Sequence, residues 1–129
     1  DLLTSASACA AALADATRAD GFIPGRFDSL WGAAAPWACL TGSAQIVACW
    51  LLLDELRGER RYAEVAAQVN AYVRRTIKVD GDANVRGAVK GSFPVSGDYG
   101  RFEYPNWACK FTIDANVMEL GGWQAVRRA

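Results

Sequence analysis

Two carboxylates in this chain occupy the same position of a repeated motif, and residues of this type suit acid–base chemistry. Gly-Arg-Phe-Asp at residues 25–28 recurs as Gly-Arg-Phe-Glu at residues 100–103, so Asp28 and Glu103 are equivalent. Hydrolysis of a glycosidic bond uses two such groups, one protonated as a general acid and one ionised as a base or nucleophile. The sequence therefore makes Asp28 and Glu103 the candidate catalytic residues.

The same motif supports a structural interpretation of these carboxylates. Each stands two positions after an arginine, Arg26 or Arg101, and an ion pair within each motif would clamp its own loop. A clamp is needed in every repeat, whereas a catalytic acid is needed only once. Repetition therefore favours the clamp, while catalysis stays open as the alternative.

Aromatic residues are concentrated near the same two segments, and such rings stack on sugars or cover apolar substrates. A Trp-Ala-Cys triplet follows each motif, with Trp37 and Trp107 lying 70 positions apart. Because these two tryptophans are repeated, we interpret them as anchors of helix packing. The predicted substrate-binding residues are unrepeated aromatics, the motif arginines and two charged residues of the intervening glycine-rich segment: Arg26, Trp31, Lys90, Asp98, Tyr99, Arg101 and Tyr104. For Lys90 and Asp98 the alternative is a flexible lid.

The composition excludes several classes of function. The chain has no histidine, which rules out Ser-His-Asp and Cys-His catalysis and histidine-ligated zinc. Asp80, Asp82 and Asn84 alternate as at the start of a calcium loop, yet no glycine follows Asn84 directly and the twelfth position holds no glutamate. We therefore predict neither a metal nor a cofactor. Lys+Arg and Asp+Glu are both 14, so no net charge draws the chain to nucleic acid or an anionic membrane.

The cysteines indicate a compartment. Cys9, Cys39, Cys49 and Cys109 form no Cys-x-x-Cys motif and lie in or beside alanine-rich helical runs. We predict that they are buried free thiols, which favours a reducing compartment and a cytoplasmic location. No signal-peptide pattern is present, and the most apolar run, residues 46–53, is far shorter than the roughly 20 residues that span a bilayer.

Apolar periodicity predicts four helices, at about residues 1–20, 37–56, 60–77 and 106–120. The second is apolar almost all round and is predicted to be buried on most sides. The third is amphipathic, so the two form an αα-hairpin with an inner and an outer member. The glycine-rich connection at 78–105 then leads to the fourth helix, a second inner one.

The repeated motifs predict one domain, residues 1–129, with two units of a loop followed by an inner helix. These units cover about residues 21–58 and 78–121. If they are equivalent, their inner helices run parallel and their loops lie at the same end of the helical layer. Residues 123–129 read as the first turns of a further helix.

Three stretches of the chain resemble the (α/α) toroid superfamily: residues 41–46 (TGSAQI), 57–62 (RGERRY) and 90–95 (KGSFPV). That superfamily includes the six-hairpin glycosidases and the terpenoid cyclase and prenyltransferase group. The closest resemblance is to uncharacterised toroid domains associated with bacterial polysaccharide genes. It implies an all-α fold in which αα-hairpins form concentric inner and outer helices, with long loops at the mouth of a funnel.

Departures from the superfamily limit what the resemblance implies. The Asp-x-Asp-Asp motif of the protonating cyclases and the histidine of the prenyltransferase zinc site are both missing. A full toroid has about a dozen helices, so four imply a partial one. The resemblance therefore implies a saccharide-binding or saccharide-processing domain of polysaccharide metabolism and transfers no catalytic residue.

The fourth helix suggests an alternative function, a non-catalytic structural or interaction module. Its apolar residues cover more than one face, and too few residues follow Gly122 to shield them. We therefore expect either a homo-oligomer, most simply a symmetric dimer through this helix, or docking onto the rest of a longer parent protein. The start at Asp1, with Met118 as the only methionine, fits a processed or excised chain.

Overall fold

The computed structural model describes residues 1–121, which form four α-helices and one two-stranded sheet. The elements are α1 (Leu2–Asp15), β1 (Ala38–Cys39), α2 (Leu40–Arg57), α3 (Arg60–Thr76), β2 (Ser92–Phe93) and α4 (Asn106–Gly121). The prediction of a mainly helical fold with four main helices is confirmed for these residues. The further helix predicted at 123–129 lies outside the described residues.

α2 is the central helix of the structure, since it contacts α1, α3 and α4. Leu40, Val47 and Trp50 have no solvent-exposed surface, and burial of such side chains contributes about 1.5–3 kcal/mol each. The main core combines α2 with residues of its neighbours: Ala10, Ile23, Ala44, Val47, Trp50, Leu53, Tyr62, Val65, Ala66, Val69 and Ala115. The packing therefore organises the chain around this helix.

Both ends of α2 are set by local chemistry. At its start the sulfur of Cys39 accepts a hydrogen bond from the Gly42 N–H at 3.3 Å. The helix thus begins at Leu40, slightly later than the predicted start near residue 37. At its end Gly58 takes a left-handed conformation with φ 67°, as a glycine after a helix is expected to do. The chain then turns back into α3, the second member of an antiparallel hairpin.

α4 runs parallel to α2, as predicted for two inner helices. Asn70 on α3 donates a hydrogen bond to Glu119 near the C-terminal end of α4, at 2.5 Å. Val73, later on α3, packs in a cluster with Ala108 near the start of α4. Because α3 is antiparallel to both α2 and α4, the latter two share a direction.

A short sheet ties together the segments that precede α2 and α4. β1 pairs antiparallel with β2, placing Cys39 opposite Ser92, and the Leu40 N–H donates to the Gly91 carbonyl at 3.0 Å. A second core cluster lies at the same end: Ala38, Leu40, Val73, Val89 and Ala108. The connections at 16–37 and 77–105 therefore meet at one end of the helical layer.

α1 is shorter than predicted and loosely covered. It ends at Asp15, and Arg18 and Phe22 then close a turn through an N–H to carbonyl bond of 3.0 Å. The indole N–H of Trp50 donates to the Ala10 carbonyl at 2.9 Å, which fixes α1 against α2. Six of the 14 residues of α1 are alanines, which bury little area.

One side of α2 is open, contrary to the prediction that it is buried on most sides. Cys49 is exposed and Ile46 and Leu52 are only partly buried, because the small side chains of α1 leave a gap beside them. The prediction of four buried thiols is also wrong. All four cysteines are free, with Cys9 and Cys49 exposed and Cys39 and Cys109 partly buried.

Candidate functional site

The loop end of the molecule is built on Trp37, which lies between two glycines. A Cβ atom on Gly25 would lie 2.2 Å from Cζ3 of Trp37, and one on Gly97 would lie 2.8 Å from its Cγ. Since carbon atoms do not approach so closely, only glycine fits at these two positions. Trp37 thus packs the first loop against the second, which differs from the helix-packing role predicted for it.

An ion pair joins the two loops above this tryptophan. Nη1 of Arg26 lies 3.6 Å from Oδ2 of Asp98, and the guanidinium carbon lies 5.5 Å from the Trp37 ring centroid. Both charged side chains are more than half exposed, so the pair itself contributes little stability. Arg26 and Asp98, both predicted as substrate-binding residues, are thus brought together at the surface.

Asp28 does not pair with the arginine of its own motif. Its Oδ1 accepts hydrogen bonds from the N–H groups of Leu30 and Gly32, both at 2.8 Å. This carboxylate therefore holds a turn of the first loop, as aspartate side chains commonly do. The clamp predicted between Arg26 and Asp28 is wrong. Backbone N–H groups donate to the Asp28 carboxylate, and Arg26 pairs with Asp98 instead.

The second motif departs from the predicted clamp in the same way. Arg101 donates from Nε to the Ser96 carbonyl at 3.0 Å, and among residues 1–121 no ion pair within 4.0 Å joins it to Glu103. Glu103 is exposed. The catalytic assignment of this carboxylate pair stays a prediction.

Tyr99, the residue after Asp98, forms an exposed aromatic pair with Trp107. The indole N–H of Trp107 donates to the Tyr99 hydroxyl at 3.1 Å, and Trp107 is 50% exposed. Trp107 is therefore not the buried anchor that repetition predicted. The backbone of Tyr99 is held by Ser92, which is fully buried. The Ser92 hydroxyl donates a hydrogen bond to the Tyr99 carbonyl and accepts one from the Tyr99 N–H.

Lys90 faces inward, away from this surface. It is buried, its ammonium donates to the Thr76 carbonyl at the C-terminal end of α3 (2.5 Å), and the rings of Phe93 and Tyr104 lie 6.0 and 5.8 Å away. Burial, and then the charge of Lys78, lowers the pKa of Lys90 below its ordinary value. A cation at this helix end complements the helix dipole. Lys90 and Tyr104 thus fasten the second loop to α3 and are not part of the exposed binding surface.

Two exposed aromatic residues stand in strained backbone. Trp31 has φ 62° and Phe102 has φ 60°, a left-handed conformation that costs bulky residues of order 1–3 kcal/mol. Trp31 lies 5.8 Å from the ring of Phe27, whereas Phe102 projects into solvent. Sequence reasoning missed Phe102 because it is part of the repeated motif, and it missed Ser92 because no local signal marks it.

We refer to Arg26, Asp98, Tyr99 and Trp107, which are linked by the ion pair, the Trp107–Tyr99 hydrogen bond and the adjacency of Asp98 and Tyr99, as the loop platform. It combines both charges of an exposed ion pair with a phenol and an indole, on a base fixed by Trp37 and the buried Ser92. Such a surface offers hydrogen bonds to hydroxyl groups and a flat apolar face to a ring. Its geometry suits ligand binding better than proton transfer.

Other chemistry finds little support in the described residues. Within 1–121 no three cysteine, aspartate or glutamate side chains are grouped so as to hold a metal ion. None of the four helices in that range has both the length and the apolar character needed to cross a membrane. No family model matches the chain, and no curated protein or solved structure matches it either.

Proposed function

We propose that this chain is part of an (α/α) toroid domain and that its loop end binds a saccharide in polysaccharide metabolism. The observation that carries the proposal is the loop platform. Aromatic faces and paired charges are the groups that recognise the apolar and hydroxyl-bearing sides of a sugar ring. Because Trp37 and Ser92 hold the platform from below, its side chains require little ordering when a ligand binds.

The toroid part of the proposal is supported by the order of the helices. α2 and α4 run parallel and touch each other, while α3 runs the opposite way and contacts both. The loops that precede the two parallel helices meet at one end. This alternation is what a segment of concentric inner and outer helices requires.

Binding is favoured over processing because the turn of the first loop already uses the Asp28 carboxylate. Asp28 is committed to the N–H groups of its own turn, and glycoside hydrolysis requires a second carboxyl group across the scissile bond. Saccharide processing by Asp28 and Glu103 therefore belongs to the proposal only as a further step.

Titration calorimetry tests saccharide binding directly, using soluble neutral, uronate-containing and amino-sugar polysaccharides as probes. Trp107→Ala is expected to weaken binding by at least about tenfold, or about 1.4 kcal/mol, because it removes an exposed ring without opening the core. Ile113→Ala is the matched control, since Ile113 is equally exposed on α4 but lies away from the platform. No binding to any probe, or equal loss in both variants, would contradict the proposal.

A second candidate function, an interaction module, is favoured by a separate observation. Large apolar side chains are exposed on α1, α2 and α4: Leu2, Leu3, Leu56, Ile113 and Leu120. Clusters of exposed apolar residues at this density mark surfaces that bind another protein. They lie on the sides of the helical layer and not on the loop platform, so the two functions are compatible.

A further inference from the structure

Two exposed thiols border the contact between α1 and α2. Cys9 of α1 and Cys49 of α2 are both free and exposed. The residue that follows each of them is buried, Ala10 at 3% exposure and Trp50 at 0%. Because the Trp50 indole donates its hydrogen bond to the Ala10 carbonyl, the residues next to the two cysteines are in direct contact.

The two helices place the cysteines at nearly the same level. Residues of α1 lie beside residues of α2 in opposite chain order, through one hydrogen bond and through the joint lining of two cavities: Leu13 with Ser43, Ala10 with Trp50, and Leu3 with Leu56. α1 and α2 are therefore antiparallel. Since Cys9 and Cys49 each precede a member of the middle pair, they lie within about one helical turn of each other along the helix axes.

Both thiols line one cleft between α1 and α2. Its volume is about 380 Å³, and its other lining residues are all apolar: Leu3, Ala6, Ala10, Ile46, Leu52, Leu53 and Leu56. Among residues 1–121, the two thiols are therefore the only nucleophilic groups that line this cleft. A pair of thiols on facing helices can react with each other, which neither could do alone.

The two thiols also interact electrostatically. Burial raises the pKa of the Cys49 thiol, and the charge of a Cys9 thiolate raises it further. Like charges have such an effect only when they lie close together. The electrostatics and the shared cleft thus agree that the two sulfurs are neighbours.

The packing of α1 allows these sulfurs to meet. A disulfide requires Cα atoms about 4.4–6.8 Å apart, so the two helices must lie close together at this level. Ala6 and Ala10 line the cleft on either side of Cys9, and their small side chains let α1 approach α2 closely. Ala10 is also the one buried residue of α1, so this helix can shift against α2 without opening a core of large side chains.

We propose that Cys9 and Cys49 form a reversible disulfide that locks α1 onto α2 when the protein is exposed to a peroxide. One thiolate attacks hydrogen peroxide, which breaks the O–O bond and yields a sulfenic acid and water. The second thiol then displaces water from that sulfenic acid and forms the S–S bond. The two thiols together lose two electrons and two protons, and the peroxide becomes two molecules of water. A thiol reductant reverses the reaction by exchange.

This lock goes beyond saccharide binding and does not depend on it. The disulfide closes the chain from residue 9 to residue 49, and the closed segment contains the first loop with Arg26 and Trp37. Cross-linking so long a segment restrains mainly the unfolded chain, which stabilises the folded one. Oxidation therefore fixes α1 and strengthens the part of the protein that carries one side of the loop platform.

Mass spectrometry of the full chain tests the lock. The protein is treated with a small excess of hydrogen peroxide, its remaining thiols are alkylated, and it is digested without reduction. We expect a monomer with two alkylated cysteines, Cys39 and Cys109, and a cross-linked peptide pair that joins Cys9 to Cys49. Cys9→Ser and Cys49→Ser are each expected to lose the cross-link, whereas Cys109→Ser is the matched control and retains it.

Thermal melting supplies a second measurement on the same samples. The oxidised wild type is expected to melt at least about 5 °C above the reduced protein, and dithiothreitol is expected to remove the difference. Cys9→Ser and Cys49→Ser are expected to show no such shift. Both variants are expected to fold, because the two side chains are exposed.

Several results would overturn the lock. These are four alkylated cysteines after peroxide treatment, a disulfide that joins two chains, a cross-link to Cys39 or Cys109, and oxidation that leaves the melting temperature unchanged. Trp107→Ala, which removes the exposed ring of the loop platform, is expected to form the disulfide as the wild type does. Failure of saccharide binding and failure of the lock are therefore separate results.

Discussion

The two Trp-Ala-Cys segments have the same local sequence but lie in different surroundings. Trp37 is enclosed between Gly25 and Gly97, whereas Trp107 is half exposed and hydrogen bonded to Tyr99. The difference arises because the second loop folds back over the first tryptophan, while nothing in residues 1–121 folds over the second. A repeated sequence therefore leads into a helix both times, although Trp37 precedes β1 and α2 whereas Trp107 lies inside α4. The burial of its side chains depends on what covers them.

The helices that follow show the same contrast. Cys39 caps α2, because its sulfur accepts the Gly42 N–H at 3.3 Å, whereas Cys109 lies inside α4 and accepts the Val89 N–H of the second loop at 3.4 Å. α2 packs against α1, α3 and α4, whereas α4 packs mainly against α2 and α3. The repeated cysteines thus make different contacts, and their helices differ in tertiary cover.

The largest expected effect comes from comparing Trp50 with its equivalent, Leu120. Trp50→Ala is expected to lower the free energy of unfolding by about 3–5 kcal/mol, because it removes a fully buried indole and leaves the Ala10 carbonyl without its donor. Leu120→Ala is expected to change it by less than about 0.5 kcal/mol, since that side chain is already in solvent. Urea unfolding at low protein concentration measures both. Similar losses in the two variants would mean that α4 is covered as α2 is.

The next effect tests the enclosure of Trp37. Gly97→Ala is expected to lower the free energy of unfolding by about 1–3 kcal/mol, because the added methyl would overlap Trp37 and force the second loop outward. Gly42→Ala is the control, since a Cβ there meets Cys39 at ordinary distances of 3.4 and 3.7 Å and the position is helical. That variant is expected to gain about 0.5–1 kcal/mol. Equal thermal stability of the two variants would show that the loops accommodate the added methyl group without losing stability.

These contrasts explain how far the sequence could predict the fold. Periodicity located α3 and α4 closely, and Gly58 marked the end of α2, because these signals act within one or two turns. The same reasoning gave Trp37 and Trp107 one shared role, because their local sequences are alike. The burial of Trp37 depends on Gly97, which lies far along the chain, so no local pattern reports it.

The sequence predicted which residues belong to the candidate site, but not which of them pair with each other. Arg26, Asp98 and Tyr99 were all expected to bind substrate, and they lie together in the loop platform. The pairing of Arg26 with Asp98 was missed, because Asp28 is nearer in sequence. Asp28 is instead taken by two backbone N–H groups, a competition that depends on the path of the loop.

A smaller effect concerns Lys90, which fastens the second loop to α3 and has no counterpart in the first loop. Because burial, and then Lys78, lowers its pKa, folded Lys90 loses its proton at a lower pH than unfolded Lys90 does. Between that lowered pKa and the ordinary value of 10.5 the unfolded state binds more protons, so the free energy of unfolding rises with pH. Lys90→Met lacks this contribution. The stability of the wild type relative to Lys90→Met is therefore expected to increase from neutral pH to 10.5 in urea titrations, and a constant difference would contradict the assignment.

The smallest expected effect compares Cys39, which caps α2, with Cys109, which lies inside α4. Cys39→Ala and Cys109→Ala each remove the acceptor of one part-buried N–H, so both are expected to lower the free energy of unfolding by about 0.5–1 kcal/mol. Cys39→Ser retains an acceptor and is expected to stay closer to the wild type, because serine is a preferred helix cap. The two cysteines would have different roles if only one alanine variant were destabilised.

Alkaline pH sharpens the comparison at Cys39. Burial raises the pKa of its thiol above the ordinary value of 9.0, while hydrogen bonds from Gly42 and then Thr41 oppose the shift. As pH rises past 9.0 the unfolded chain releases this proton first, so the wild type loses stability until the folded thiol also ionises. Cys39→Ala cannot lose stability in this way. The cost of the alanine substitution, measured by urea unfolding, is therefore expected to shrink above pH 9.0, and a cost that grows with pH would show that the folded state favours the thiolate.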